Sequence, residues 1–242
     1  ISKINISVDN ANTPKEYVDN IKLLLLLTVL TLLPSIIIMS TSFVRIIIVL
    51  SLFKNAIGVQ NAIPKEVIMG LALFLTFFTM APTFTKINND ALTPYLNNKI
   101  TQSVAIEKGS KPMRDFMLKQ TRAKDLKLFL DVGKLEDTVK NQVDENGNEV
   151  LKNGKPVVTY DKVPLYAVVP SFLISELRRA FEMGFLLFIP FIIIDIVTGS
   201  ILMAMGMMML PPVMISLPFK LLLFVMCDGW NLLVKSLIMS FS

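Results

Sequence analysis

Five charged side chains lie within stretches of this sequence that are otherwise apolar, and four of them, Arg45, Asp195, Lys220 and Asp228, are candidates for buried polar contacts; the fifth is Lys235. A charge at membrane depth costs about 2.5 to 3.5 kcal/mol on insertion scales, so such a group usually faces a protein partner or a wet cavity. The four charges could line an ion path, or they could pair helices or subunits. Pairing is favoured, because a single acid pair without other polar residues makes a poor relay.

If the two C-terminal apolar blocks form a helical hairpin, Asp195 and Asp228 lie at similar depth. Both then need a cation, which could be Arg45 or a residue of a neighbouring subunit. Ser216 and Lys220 are four residues apart, the helical spacing of a serine–lysine hydrolase pair. No oxyanion-hole motif or substrate pocket can be recognised around them. The sequence therefore predicts no enzymatic activity.

Other classes of chemistry are disfavoured by composition. Histidine is absent and Cys227 is the single cysteine, so the commonest general base, a disulfide framework and a cysteine-rich zinc site are missing. We expect no metal and no cofactor. The net charge of +5 is spread along the middle of the chain and does not predict nucleic-acid binding. With 53% hydrophobic and 18% charged residues, the chain is typical of a membrane protein.

A methionine-rich run between two apolar segments is the most distinctive local feature. Residues 201–218 read ILMAMGMMMLPPVMISLP. Three successive methionines, Met207, Met208 and Met209, cannot all face one core, because neighbours on a helix point about 100° apart. In several copies brought together, unbranched thioethers could close a pore and still yield to a passing polypeptide. Gly206 permits a tight turn, and Pro211 and Pro212 stop the helix.

The hydropathy pattern predicts an all-α, membrane-associated fold in which long, kinked apolar helices form two hairpins around a mainly helical insertion of about 99 residues. A break is expected between Pro34 and Ser42, within an apolar run too long for one span. The predicted segments are a polar N-terminal segment (1–22), a first hairpin (23–84), a soluble domain (85–183), and a second hairpin with the methionine-rich turn (184–242).

Within the insertion, three elements are predicted. An amphipathic helix is expected over 111–131, starting near Ser110 and Pro112 and stopping at Gly133. Asn153 and Gly154 lie between two short β-capable runs and predict a hairpin over 148–160. A second amphipathic helix, 171–184, is expected to continue directly into the third apolar block.

Topology is indicated by two weak signals that agree. The chain starts with Ile1, as it would after a cleaved signal peptide or in a trimmed chain. The short loop after the first block has a slight basic excess. Together they favour an extracytoplasmic insertion and a cytoplasmic-facing methionine-rich turn.

Several strings resemble the FliP family of flagellar type III export gate subunits, which is related to the SctR subunits of injectisomes. The residues that carry the resemblance are TSFVRIIIVLSLFKNAIG (41–58), GLALFLTFFTMAPTFTKIN (70–88), FMLKQTR (116–122), GFLLFIPFIIIDIV (184–197), MGMMMLPPVMISLPFKLLLF (205–224) and DGWNLL (228–233). The last string favours the flagellar branch over the injectisome branch. The segment 131–162 departs from the family pattern by its apparent extra length.

The resemblance implies a non-enzymatic core component of the export apparatus in the inner membrane, at the flagellar basal body, through which unfolded flagellar proteins pass. It further implies five copies assembled with FliQ and FliR, docking with FlhB and FlhA, and a resting gate at Met207, Met208 and Met209. A small ion-conducting transporter is the alternative left by the residues alone.

Overall fold

The computed structural model describes residues 14–59, 63–141, 151–152, 155–156, 158–160, 162–207 and 209–241. These residues are mainly helical. The chain divides into two compact units, Ile1–Ile38 and Met39–Ser242.

Helix α1, Pro14–Met39, accounts for the described part of the first unit. Most of its leucine and isoleucine side chains whose exposure is described are exposed. The helix continues through Pro34, so the predicted break falls at its C-terminal limit, after Met39. Hydroxyl side chains explain that position, because they compete with the backbone for hydrogen bonds. The amide of Phe43 donates to the Thr41 Oγ1, and the Ser42 and Thr79 hydroxyls are hydrogen-bonded at 2.5 Å.

Eight further helices and four short strands lie in the described part of the second unit. The helices before the strands are α2 (Phe43–Ile57), α3 (Lys65–Ile87), which passes through a π-helical turn (Asn88–Leu92) into α4 (Thr93–Leu96), α5 (Gln102–Gln120), α6 (Ala123–Gly133) and a 3-10 turn (Glu136–Thr138). The strands are β1 (Lys140–Asn141), β2 (Leu151–Lys152), β3 (Lys155–Pro156) and β4 (Val158–Thr159). The helices after them are α7 (Leu165–Ala204), α8 (Pro212–Met226) and α9 (Gly229–Met239).

Helix α2 forms the centre of the larger hydrophobic core. Ile46, Val49, Leu50 and Phe53 recur at helical spacing and are fully or almost fully buried. The Phe53 ring contacts three aromatic rings at centroid distances of 4.9 to 6.3 Å, and these belong to Phe191 of α7, Phe224 of α8 and Trp230 of α9. One aromatic side chain therefore holds four helices together.

A second core joins α5 and α6 to the N-terminal half of α7. Its buried residues include Met117, Leu126, Leu130 and Phe172. The single helix predicted over 111–131 is wrong in two respects. The helix starts at Gln102, well before Ser110, and the chain breaks at Thr121–Arg122 before continuing as α6 to Gly133.

Tertiary hydrogen bonds explain this break. The Arg122 backbone amide donates to the Ser175 hydroxyl of α7 at 3.1 Å, so it is satisfied outside the helix. The Arg122 side chain bonds the Asp125 carboxylate through two 2.8 Å contacts, and the Ser175 hydroxyl donates to the same carboxylate at 2.6 Å. The Arg122 guanidinium is the main reason why the pKa of Asp125 is lowered.

Two pairs of two-residue strands follow α6. β1 pairs antiparallel with β4, and β2 pairs antiparallel with β3. Residues 142–150 and the turn residues Asn153 and Gly154 lie outside the described residues. The hairpin over 148–160 therefore stays a prediction.

Helix α7 is continuous over 40 residues and about 60 Å. The expectation that the amphipathic helix over 171–184 continues into the third apolar block is therefore confirmed. Its length is about twice the hydrocarbon thickness of a bilayer, so only about half of α7 can lie at membrane depth. Four charged residues of α7 precede Gly184, so the C-terminal half of the helix is the more apolar one. They are Glu176, Arg178, Arg179 and Glu182.

By length and composition, two described helical stretches could cross a membrane, Lys65–Leu96 and Leu165–Ala204. Helices α8 and α9 would make a third if they form one span, although they meet at an angle of 66°. This bend was not expected within the fourth apolar block. A close approach explains it, because a Cβ at Gly229 would lie 2.0 Å from the Phe224 ring.

Candidate functional site

The methionine-rich turn joins α7 to α8 and is shaped by backbone hydrogen bonds. The Met207 amide donates to the Leu202 carbonyl and the Gly206 amide to the Met203 carbonyl, each at 3.0 Å. This pair of bonds is the Schellman motif, which requires a left-handed backbone conformation at the residue just after the helix end, the one that donates to the nearer of the two carbonyls. Gly206 supplies it, with φ of +75°. Its role in shaping the turn, which was predicted from residue type, thus has a specific geometric basis.

The two prolines shape the other end of the turn. Pro211 precedes α8, with an extended backbone at ψ of 119°, and Pro212 is the first helical residue. Proline suits the first helical position because its missing amide hydrogen would have no intrahelical acceptor there. The turn therefore has a defined helix end on one side and a defined helix start on the other.

The gate candidates in this turn point away from the core of the chain. Met207 is 44% exposed and Met209 is 99% exposed. Met208 lies outside the described residues. In contrast, Met80 is fully buried and Met117 is 2% exposed, as expected of core methionines. The two described gate candidates are therefore free to contact other molecules.

Further along these two helices, an ion pair connects α7 with α8. The Lys220 ammonium donates to Asp195 Oδ2 at 2.7 Å and to the Ala56 carbonyl at the C-terminal end of α2 at 3.1 Å. The Ser216 hydroxyl donates to the other oxygen of the Asp195 carboxylate. Lys220 is 3% exposed, whereas about a third of the Asp195 side chain is accessible. This arrangement, which we call the Asp195–Lys220 network, holds three helices in register.

The geometry of the Asp195–Lys220 network does not suit a serine–lysine hydrolase. Such a pair needs the nucleophilic hydroxyl hydrogen-bonded to the base. The Ser216 hydroxyl instead bonds Asp195 and the Val213 carbonyl, and the Lys220 hydrogen bonds go to Asp195 and Ala56. Among the described residues there is also no cluster of three or more side chains that could hold a metal ion.

A second buried network is centred on Arg45, which has no exposed surface. Its guanidinium pairs with the Glu176 carboxylate of α7, through Nε at 2.8 Å and through Nη2, and donates to the Gln120 side chain of α5 at 3.1 Å. It also bonds the carbonyl and hydroxyl of Ser240 and lies 3.8 Å from the centre of the Phe241 ring. We call this the Arg45 network.

Sequence reasoning missed Glu176. It lies on the polar side of an amphipathic helix, as Glu182 does, and no pattern separated the two acids. Packing separates them, because Glu176 is fully buried whereas Glu182 forms an exposed pair with Arg178. The expectation that Arg45 could serve as the cation for Asp195 and Asp228 is wrong, since Arg45 binds Glu176 and Asp195 binds Lys220.

Asp228 is not brought into either network. It lies at the bend between α8 and α9 with a left-handed backbone, φ of 48°, and its side chain is exposed. The expectation of a buried charge is wrong for Asp228 within this single chain. The reason is the bend itself, which turns the residue outward instead of continuing the apolar helix.

These features define a class of protein: a helical, membrane-associated chain that carries an exposed methionine-rich turn on two helices held in register by buried charges. A protein-family model described as the FliP family matches residues 26–237. A flagellar biosynthetic protein FliP from Bacillus subtilis (strain 168) is 50% identical over 236 residues, which cover 98% of each chain. One from Aquifex aeolicus is 45% identical, over the whole of this chain and 92% of the relative. A third, from Pectobacterium carotovorum, is 48% identical over 92% of this chain and 79% of the relative.

The chain therefore belongs to the FliP family. This confirms the resemblance inferred from the sequence strings. The relatives are named as flagellar biosynthetic proteins, which agrees with the flagellar branch favoured by the string DGWNLL.

Proposed function

We propose that this chain is a core subunit of the flagellar protein-export gate, and that it works as a ring or spiral of copies, five by family resemblance. FliQ and FliR complete the pore, FlhB and FlhA dock on it, and unfolded flagellar proteins pass through it. The assembly lies in the bacterial inner membrane at the flagellar basal body, with the insertion on the extracytoplasmic side. Membership of the FliP family and the flagellar names of its relatives support this proposal.

The observation that carries the proposal is the exposed methionine pair on an ordered turn. Met207 and Met209 project from a loop framed by the Schellman motif and the two prolines. Thioether side chains are flexible and apolar, so a ring of them can seal against small solutes and adapt to a passing chain. Met208 completes the proposed seal by its place in the sequence.

Buried charges hold the seal in place. Lys220 connects α8 to α7 and to the end of α2, so the two helices that carry the turn cannot slide independently. The Arg45 network connects α2, α5, α7 and the C-terminal residues. Asp228 is left for a contact with another subunit.

Replacing the methionines tests the seal. Met207→Ala/Met208→Ala/Met209→Ala should increase the leakage of small solutes through the assembled complex while export of flagellar subunits continues, because alanine cannot fill the constriction. Leakage is measured in cells or in vesicles that contain the complex, with motility as the readout of export.

A matched control removes exposed methionines elsewhere. Met39→Ala/Met69→Ala deletes two exposed thioethers outside the methionine-rich run 201–218 and corresponds to Met207→Ala/Met209→Ala. Leakage should rise for the turn variant and not for the control. An unchanged leak rate in the triple variant, with the complex assembled, would contradict the gate.

A further inference from the structure

We infer that Asp228 of one copy pairs with Lys235 of the next copy in the ring, and that this ion pair sits at the end of an apolar groove between α3 and α9. The inference rests on the proposed function, since it requires several copies. It assigns a specific contact to the assembly.

The first observation is two exposed charges on an apolar helical segment. Asp228 and Lys235 are exposed, and neither has an ion-pair or hydrogen-bond partner for its side chain among the described residues. Asp228 occupies the N-cap position of α9, where aspartate usually accepts a backbone amide, but its side chain makes no such bond. Unpaired charges in apolar segments are costly, so each calls for a partner outside the chain.

The second observation is the surface beside Lys235. A groove of about 550 Å³ is lined by Phe78 of α3 and, on α9, by Trp230, Val234, Lys235 and Ile238 among others. Its walls are apolar apart from the ammonium and the Asn231 amide. Such a groove fits an apolar segment that carries one carboxylate.

The same chain presents a segment with that chemistry. The bend between α8 and α9 places Val225 and Met226, which are 74% and 77% exposed, directly before the Asp228 carboxylate. Each copy therefore offers both a groove with a cation and an apolar bend with an anion. A contact between two different surfaces of identical chains repeats head to tail, which generates a ring or a spiral.

Helix geometry allows this contact between copies inserted in the same direction. Asp228 caps the start of α9 and Lys235 lies seven residues further on, about 10 Å along the helix axis. Helix α9 is bent by 66° from α8. If α8 follows the membrane normal, the two charges differ in depth by only about 4 Å. A carboxylate and a neighbouring ammonium can therefore meet at one level.

Cross-linking tests the proximity. Cys227, the single cysteine of the chain, precedes Asp228 and is exposed. In Met239→Cys, the new thiol lies in the groove, one turn beyond Lys235 and too far along α9 to reach Cys227 of its own chain. A short bifunctional maleimide should then produce a ladder of linked copies in the assembled complex.

Two controls belong to this experiment. Adding Cys227→Ser to Met239→Cys should abolish the ladder. Lys127→Cys, which places an exposed thiol on α6 with Cys227 kept, should give no ladder.

Charge exchange tests the ion pair. Asp228→Lys and Lys235→Asp should each reduce the fraction of oligomer, by about tenfold or more, because like charges then meet in an apolar setting. Asp228→Lys/Lys235→Asp should recover most of the assembly. Asp228→Asn, which tolerates the left-handed backbone better than lysine does, should weaken assembly less than the reversals and keeps the test independent of strain at this position.

Native mass spectrometry of the detergent-extracted complex distinguishes the outcomes. A defined oligomer with the predicted ladder and with rescue by the double exchange supports the contact. A defined oligomer without either result overturns the contact and leaves the proposed gate standing. A chain that stays monomeric when produced with its partner proteins overturns both.

Discussion

Gly206 is the residue on which the shape of the methionine-rich turn depends. Its left-handed backbone closes the Schellman motif at the end of α7, and a Cβ at this position would meet no atom within 4 Å. Any cost of substitution therefore comes from backbone strain and not from a steric clash. Sequence reasoning predicted a tight turn here from glycine and the two prolines, because these residue types act locally.

Gly206→Ala should lower the stability of the complex by about 1 kcal/mol, because alanine disfavours a positive φ. Gly70→Ala is a matched control: Gly70 lies within α3, and a Cβ there would also meet no atom within 4 Å. In a helix the same substitution should be stabilising by up to about 1 kcal/mol. Thermal unfolding in detergent measures both. If both substitutions shifted the unfolding temperature in the same direction, backbone strain at Gly206 would not explain the effect.

At the scale of elements, contacts between helices decide where each helix starts and ends. Periodicity predicted one helix over 111–131, but the hydroxyl of Ser175 accepts the amide of Arg122 and divides the segment into α5 and α6. The bend at Asp228 has a more local origin, since Gly229 packs against the ring of Phe224, five residues earlier in the chain. Ser175 lies 53 residues from Arg122, so the α5–α6 boundary could not be predicted from local propensity.

Asp125 makes the attachment of α6 to α7 dependent on pH. The Arg122 guanidinium lowers the pKa of Asp125 in the folded state. A lowered pKa means that the unfolded chain takes up the proton more readily. The stabilisation is therefore present above the unfolded pKa of about 4 and is lost as the pH falls through the folded pKa.

Asp125→Asn should lower stability at pH 7 and make little difference once the carboxyl of the parent protein is protonated. Thermal unfolding of the two proteins across this range measures the difference. Asp115→Asn is the control, because Asp115 is exposed on α5. A stability difference between the parent and Asp125→Asn that stays constant with pH would contradict this role for the carboxylate.

At the scale of the whole molecule, the Arg45 network joins parts of the chain that are far apart in sequence. Arg45 bonds Gln120, Glu176 and Ser240, which lie 75, 131 and 195 residues later. The Gln120 amide also donates to the Phe241 carbonyl at 3.1 Å. The network thus holds the C-terminal residues against α2, α5 and α7.

Removing one partner of the Arg45–Glu176 ion pair should destabilise the protein more than removing both partners. Glu176→Leu leaves a buried guanidinium without its carboxylate and should cost about 3 to 5 kcal/mol. Arg45→Met/Glu176→Leu removes both charges and should be less destabilising than Glu176→Leu. Resistance to heat in detergent measures the order of the variants.

The exposed pair Arg178 and Glu182 provides the comparison. Arg178→Gln/Glu182→Gln should change stability by less than about 1 kcal/mol, because water screens an exposed pair. A double Arg45→Met/Glu176→Leu variant that is less stable than Glu176→Leu would show that the pair is itself strongly stabilising.

The sequence by itself determined the family, the helical and membrane-associated character, and the methionine-rich turn with its glycine and prolines, because composition and local backbone preferences are written in neighbouring residues. It also singled out Arg45, Asp195 and Lys220, since a charge in an apolar run is visible without a fold. Only the tertiary structure decided which partner each charge has, that Glu176 is buried and Asp228 exposed, and where α5 ends. Those outcomes depend on distances between residues that packing brings together across up to 195 positions of chain.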